Sequence, residues 1–68
     1  MTSYLFKYDL AHAYFPDVSP TSAARLLNRE LRHNPDLWQA LKQANYRPTQ
    51  KRLTPRQVQL IFQYIGEP

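Results

Sequence analysis

The residues of this chain best suited to chemistry lie together just after its first quarter. From Ser19 the sequence reads Ser-Pro-Thr-Ser-Ala-Ala-Arg-Leu-Leu-Asn-Arg-Glu-Leu-Arg. Placed on a helix at about 100° per residue, it separates into two faces. Thr21, Ser22, Arg25, Asn28, Arg29 and Arg32 gather on one, and Ala23, Leu26, Leu27 and Leu31 on the other. The polar set suits the edge of a base pair. A guanidinium can bridge guanine O6 and N7, an Asn amide can bridge adenine N6 and N7, and hydroxyls adapt to either. Thr21, Ser22, Arg25 and Asn28 are therefore expected to face bases of duplex DNA, with Arg29 and Arg32 on phosphates. Lys51, Arg52 and Arg56 are expected to form a second phosphate clamp. The competing reading is a solvated face that only keeps the helix in solution.

Catalysis is not expected. With 68 residues there is little room for a pocket holding a nucleophile, an acid/base pair or a metal, and no cofactor or small-molecule substrate is implied. Cysteine is absent, so neither a disulfide framework nor a Cys-based zinc site can staple the fold, and His12 and His33 alone cannot make a structural metal site. Asp9 and Asp36 fall in first helical turns, where negative charge is favoured, and Asp17 falls in a turn. His33 lies near a helix C-terminus, which suits a partial positive charge. Glu30 projects to the Ala23/Leu27 side. It should find a Tyr hydroxyl or a basic group there, or else the helix end is exposed.

The elements that must hold these residues are marked by punctuation. Ser19-Pro20, Asn34-Pro35 and Thr54-Pro55 each place a capping side chain before a proline, the arrangement that opens a helix. An earlier helix runs through Tyr8-Asp9-Leu10-Ala11-His12-Ala13-Tyr14 and is stopped by Phe15-Pro16-Asp17. Gly66, followed by Pro68, ends the last one. The expected elements are helices 8–14, 20–33, 35–44 and 55–65 with an irregular stretch 45–53, and Ser3-Tyr4-Leu5-Phe6 is expected to lie extended against them. This is one all-α domain over 1–68, a small bundle of about four short helices of helix-turn-helix type. In helix 35–44, Leu37, Ala40, Leu41 and Ala44 should face the core with Trp38 at the margin. In the last helix Val58, Ile61, Phe62 and Ile65 make the inward stripe. Leu60 and Tyr64 fall off that stripe; they either pack against the N-terminal segment or, with Trp38, form a protein-contact surface.

Nine Lys and Arg against five Asp and Glu give a net charge of +4. Such a balance favours polyanions and supports only non-specific attraction by itself. No apolar run is long enough for a membrane span, and Met1-Thr2-Ser3-Tyr4 has no signal-peptide character, so no membrane partner and a cytoplasmic location are expected.

Leu10-Ala11-x-x-Tyr14, then Val18-Ser19-Pro20-x-Ser22-Ala23-x-Arg25-x-Leu27, resembles the DNA-binding helix-turn-helix of MerR-type and excisionase-type proteins over residues 9–32. That resemblance implies a second helix lying on DNA and a role in transcription regulation or as an accessory factor. The whole chain also resembles a family of short bacterial proteins known as a domain of unknown function. Leu10-Ala11-x-x-Tyr14-Phe15-Pro16, Ser19-Pro20-x-Ser22-Ala23, Asn34-Pro35-x-Leu37, Leu53-Thr54-Pro55-x-Gln57-Val58 and Tyr64-x-Gly66-Glu67-Pro68 carry it. That second resemblance supplies no activity. The resulting expectation is a small protein on duplex DNA, working as a homodimer or with a larger protein partner. A protein-interaction module without a nucleic-acid role is the rival.

Overall fold

Each of the three capping dipeptides opens a helix in the computed structural model, which describes residues 6–68. The elements are α1 (Lys7–Tyr14), α2 (Pro20–Arg32), α3 (Pro35–Gln43) and α4 (Pro55–Ile65). At α2, Ser19 Oγ accepts from the Ser22 N–H at 3.3 Å. At α3, Asn34 Oδ1 accepts from the Leu37 N–H at 3.2 Å. At α4, Thr54 Oγ1 accepts from the Gln57 N–H at 3.2 Å while Gln57 Oε1 accepts from the Thr54 N–H at 3.1 Å, a complete capping box. These bonds satisfy backbone donors that the first helical turn leaves without partners. The fold is the small all-α bundle expected.

The helices pack in chain order, α1 on α2, α2 on α3 and α3 on α4. Leu10, Ala11, Ala23, Leu27, Leu31, Leu37, Leu41 and Ile61 are almost fully buried and form the centre of one core. The Tyr14 hydroxyl donates to the Gly66 carbonyl, joining the end of α1 to the end of α4. The α3 terminus is a Schellman motif. Asn45 takes a positive φ of 64°, its N–H donates to the Lys42 carbonyl at 3.0 Å, and the Tyr46 N–H donates to the Leu41 carbonyl at 2.9 Å. This reversal returns Tyr46 to the core at 5% exposure, although the sequence had placed it in an irregular stretch.

Two apolar arcs differ from expectation. In α2, Ala24 is buried and Leu26 only half-buried, so the inward arc is turned toward Ala24. In α4, Gln57 and Leu60 are buried at 1% and 6% exposure while Ile65 is exposed at 38%, so that arc is turned toward Gln57. The cause is polar. The Gln57 side chain ties the segment between α3 and α4 to the helix, accepting from Gln50 Nε2 at 2.7 Å and donating to the Ala44 carbonyl at 2.9 Å. Gln57 must face inward to do so, and Leu60 follows it one turn later. The expected extended segment lies outside the described residues apart from Phe6, which forms an isolated antiparallel bridge with Arg52.

Candidate nucleic-acid interface

Capping by Ser19 and burial of Ala23, Ala24, Leu27 and Leu31 fix the rotation of α2 about its axis. The opposite side then faces water. Thr21, Ser22, Arg25, Arg29 and Arg32 are exposed, and Asn28 is half-buried. Arg25, Asn28, Arg29, Arg32 and His33 line one open groove of about 440 Å³, and no acidic side chain is among them. The thirteen residues of α2 rise about 20 Å, and a B-DNA major groove is about 12 Å wide, so this face is long enough to lie in one.

Asn28 is less available than its position suggests. Its Oδ1 accepts a hydrogen bond from the Tyr46 hydroxyl at 2.8 Å. Two-point contact with adenine needs that oxygen together with the amide nitrogen. The structure therefore gives Asn28 a structural task that the sequence did not show, and leaves its NH₂ group to donate. The Ser22 side chain is also engaged, accepting at 3.1 Å from the Ser19 hydroxyl. Arg32 lines the groove but holds its guanidinium over Trp38, 5.7 Å from the ring centroid.

Beside Asn28 the surface continues into a smaller cleft of about 230 Å³. Its walls are the first turn of α1, Ala24 and Asn28 of α2, and the segment 48–51. The segment is docked on α1 by the Lys7 N–H, which donates to the Lys51 carbonyl at 2.9 Å. The Lys7 side chain is buried at 4% exposure, donates to the Pro48 carbonyl at 2.7 Å and lies 5.0 Å from the Tyr46 ring centroid. Burial first, and then the positive charge of Arg32, lower its pKa from 10.5 to about 8. Burial pushes the Tyr46 phenol well above its usual range, with Arg32 acting in the opposite sense. The sequence reading missed Lys7, Tyr46 and Gln57. A signal existed for Lys7, which stands three and four residues before the buried Leu10 and Ala11 and shares their face.

The other expected site residues are divided. Lys51 lines the small cleft and so adjoins α2 through Asn28. Arg52 is turned to Phe6, with its guanidinium 5.2 Å from that ring. Arg56 is exposed at the start of α4, and neither groove includes it. Lys51 thus adjoins the α2 surface through the small cleft, whereas Arg52 and Arg56 line neither groove.

The three residues considered for protein contact separate as well. Leu60 belongs to the core, which corrects its assignment to an outer face. Trp38 is half-buried, flanked by Arg32 and by Lys42 at 5.9 Å, and meets Tyr46 edge-on at 5.8 Å. Tyr64 is exposed at 40% and joins Ile65 in a shallow groove with Glu30 and His33. Glu30 is exposed, so its carboxylate stays hydrated at the helix end. Among the described residues no group of three His, Asp or Glu side chains is placed to hold a metal ion, and no helix is long and apolar enough to cross a membrane.

No curated protein and no solved structure matches the chain. A family match covers residues 2–68, nearly its whole length, and the chain belongs to that family, described as Domain of unknown function (DUF4248).

Proposed function

We propose that this member of the family is a small duplex-DNA-binding protein of helix-turn-helix type, in which α2 lies in the major groove. The observation that carries the reading is the acid-free groove of Arg25, Asn28, Arg29, Arg32 and His33 on the exposed side of α2. A helix that is merely solvated commonly mixes charges of both signs, whereas this face concentrates cations along one line. Arg25, near the N-terminal end, is the base-contacting arginine. Arg29, Arg32 and Lys51 take phosphates. Such a protein acts in the bacterial cytoplasm as a transcription regulator or an accessory factor.

Three phosphate contacts imply a slope of log affinity against log salt of about −3, and micromolar or weaker non-specific binding. One module buries about 600–1,000 Å² on DNA. Tight binding therefore calls for a second copy or a larger protein partner. Exposed Tyr64 and Ile65 lie close to the α2–α3 junction and offer apolar area for that contact.

The test is a salt series of binding to random duplex DNA. Arg29→Ala should flatten the slope by about 1, and Arg25→Ala should weaken binding while relaxing sequence preference. Absence of binding by the parent protein at about 50 mM salt, where electrostatic attraction is strong, would refute the proposal.

A further inference from the structure

The small cleft beside α2 has features that a water-filled surface fold does not need. One wall carries a lysine that is more than nine-tenths buried yet borders the opening. Burying an ammonium costs free energy that partners must offset. Among the described residues the Lys7 ammonium donates to the Pro48 carbonyl alone, and an ammonium has three donors to satisfy. Lys51 stands at the rim, and the Asn28 NH₂ group is left to donate because its carbonyl is taken by Tyr46. No carboxylate lines the cleft. Two cationic groups and an amide donor converge on about 230 Å³, room for one tetrahedral anion and its immediate substituents.

We infer that this cleft is a phosphate site, and that its occupant is a backbone phosphodiester of the DNA lying along α2. The source of the phosphate rests on the DNA reading above; the chemistry of the cleft does not. The site adjoins the arginine groove through Asn28, which lines both, so a strand passing Arg29 and Arg32 continues onto Lys51 and Lys7. Bound phosphate supplies the negative charge that the buried ammonium lacks and restores its affinity for a proton. Binding must therefore weaken as pH rises through the Lys7 pKa of about 8.

The experiment follows amide signals of residues 49–51 by two-dimensional NMR of the full chain. Inorganic phosphate is added in one arm and a short random duplex in the other. Both should shift these signals, and the affinity for the phosphate dianion should fall as pH rises through about 8. Lys51→Ala, at an exposed position that cannot unfold the core, should weaken phosphate binding by up to about fivefold. Lys7→Met should weaken it by at least about tenfold. If Lys7→Met fails to fold, the pH profile of the parent protein and Lys51→Ala decide the question. Unmoved signals in both arms overturn the site. Duplex binding that depends on Arg29 but leaves residues 49–51 unmoved overturns the site and spares the DNA reading. Shifts with inorganic phosphate and none with duplex overturn the DNA source and leave a site for free phosphate.

Discussion

Lys7 should make the stability of this protein rise with pH in a range where most small proteins change little. Its folded pKa is about 8 against an ordinary 10.5, so the unfolded chain holds the proton more tightly. Above the unfolded value the group is neutral in both states and contributes no penalty. As pH falls from 10.5 toward 8 the unfolded chain takes up a proton that the folded state still refuses, and below 8, where the folded state must accept the poorly hydrated charge, the penalty is complete. The full shift corresponds to about 3 kcal/mol at 1.36 kcal/mol per pKa unit. Lys7 borders an open cleft, so solvent screening reduces this figure, and a gain of about 1 kcal/mol between pH 7 and pH 9.5 is expected. The groups facing Lys7 are Arg32 from α2, Tyr46 and Lys51 from the segment after α3, and Tyr8 on its own helix. Tyr46 acts in reverse: its raised pKa costs stability above about pH 10, which sets the upper end of the useful range. Urea denaturation followed by circular dichroism at pH 7, 8, 9 and 9.5 measures the effect. For a domain of this size a gain of 1 kcal/mol moves the midpoint by up to about 1 M. Lys7→Met should remove the rise. Parallel pH profiles for the parent and Lys7→Met would show that the buried ammonium carries no such penalty, and the electrostatic account of the cleft would fail with it.

Two further substitutions probe the polar groups that shape the surface. Gln57→Leu keeps side-chain volume but leaves the Ala44 carbonyl, the Thr54 N–H and the Gln50 amide without their partner, and should cost about 2–4 kcal/mol. Thermal unfolding should drop by about 10 °C or more, and a loss below about 3 °C would mean that Gln57 does not organise the segment. Tyr46→Phe removes one hydroxyl from a half-exposed acceptor and should cost about 1 kcal/mol or less. A double-mutant cycle with Asn28→Ala that showed no coupling would remove the Tyr46–Asn28 hydrogen bond from the account.

Helix starts were legible because their causes are local. Ser19, Asn34 and Thr54 each bond a backbone N–H three residues on, and each proline follows its cap, so neighbouring residues decide the outcome. Helix rotation was legible only in part. Apolar periodicity in α4 places Leu60 outside and Ile65 inside, and the structure reverses both because Gln57 takes an inward position. Gln57 faces inward since two polar groups outside α4, the Gln50 amide and the Ala44 carbonyl, bond its side-chain amide, which no periodicity within α4 encodes. The Schellman turn at Asn45 had a readable signal, an asparagine directly after a helix end, and it alone accounts for the return of Tyr46 to the core. The polar face of α2 is exposed as its periodicity implies, except at half-buried Asn28. The sequence could not show that Asn28 would be met from behind by Tyr46, or that Lys51 rather than Arg52 or Arg56 would line the cleft beside α2.

Those displacements bear on how a DNA-bound α2 would discriminate sequence. Asn28 spends its carbonyl on Tyr46, Ser22 is bonded to Ser19, and Arg32 leans on Trp38. Thr21 and Arg25 are exposed, with no side-chain partner among the described residues, near the start of the helix, the end that meets base edges in helix-turn-helix docking. A bidentate arginine–guanine pair contributes about 1–3 kcal/mol of discrimination, and a single hydroxyl contributes less. One copy can therefore prefer a short, guanine-containing step but cannot single out a site among the many competing ones in a genome. Doubling the readout through a second copy doubles that discrimination and adds phosphate contacts, steepening the salt dependence in step. On this reasoning sequence preference and oligomeric state rise or fall together: a protein that stays monomeric on DNA should bind random and selected duplexes within about a hundredfold of each other.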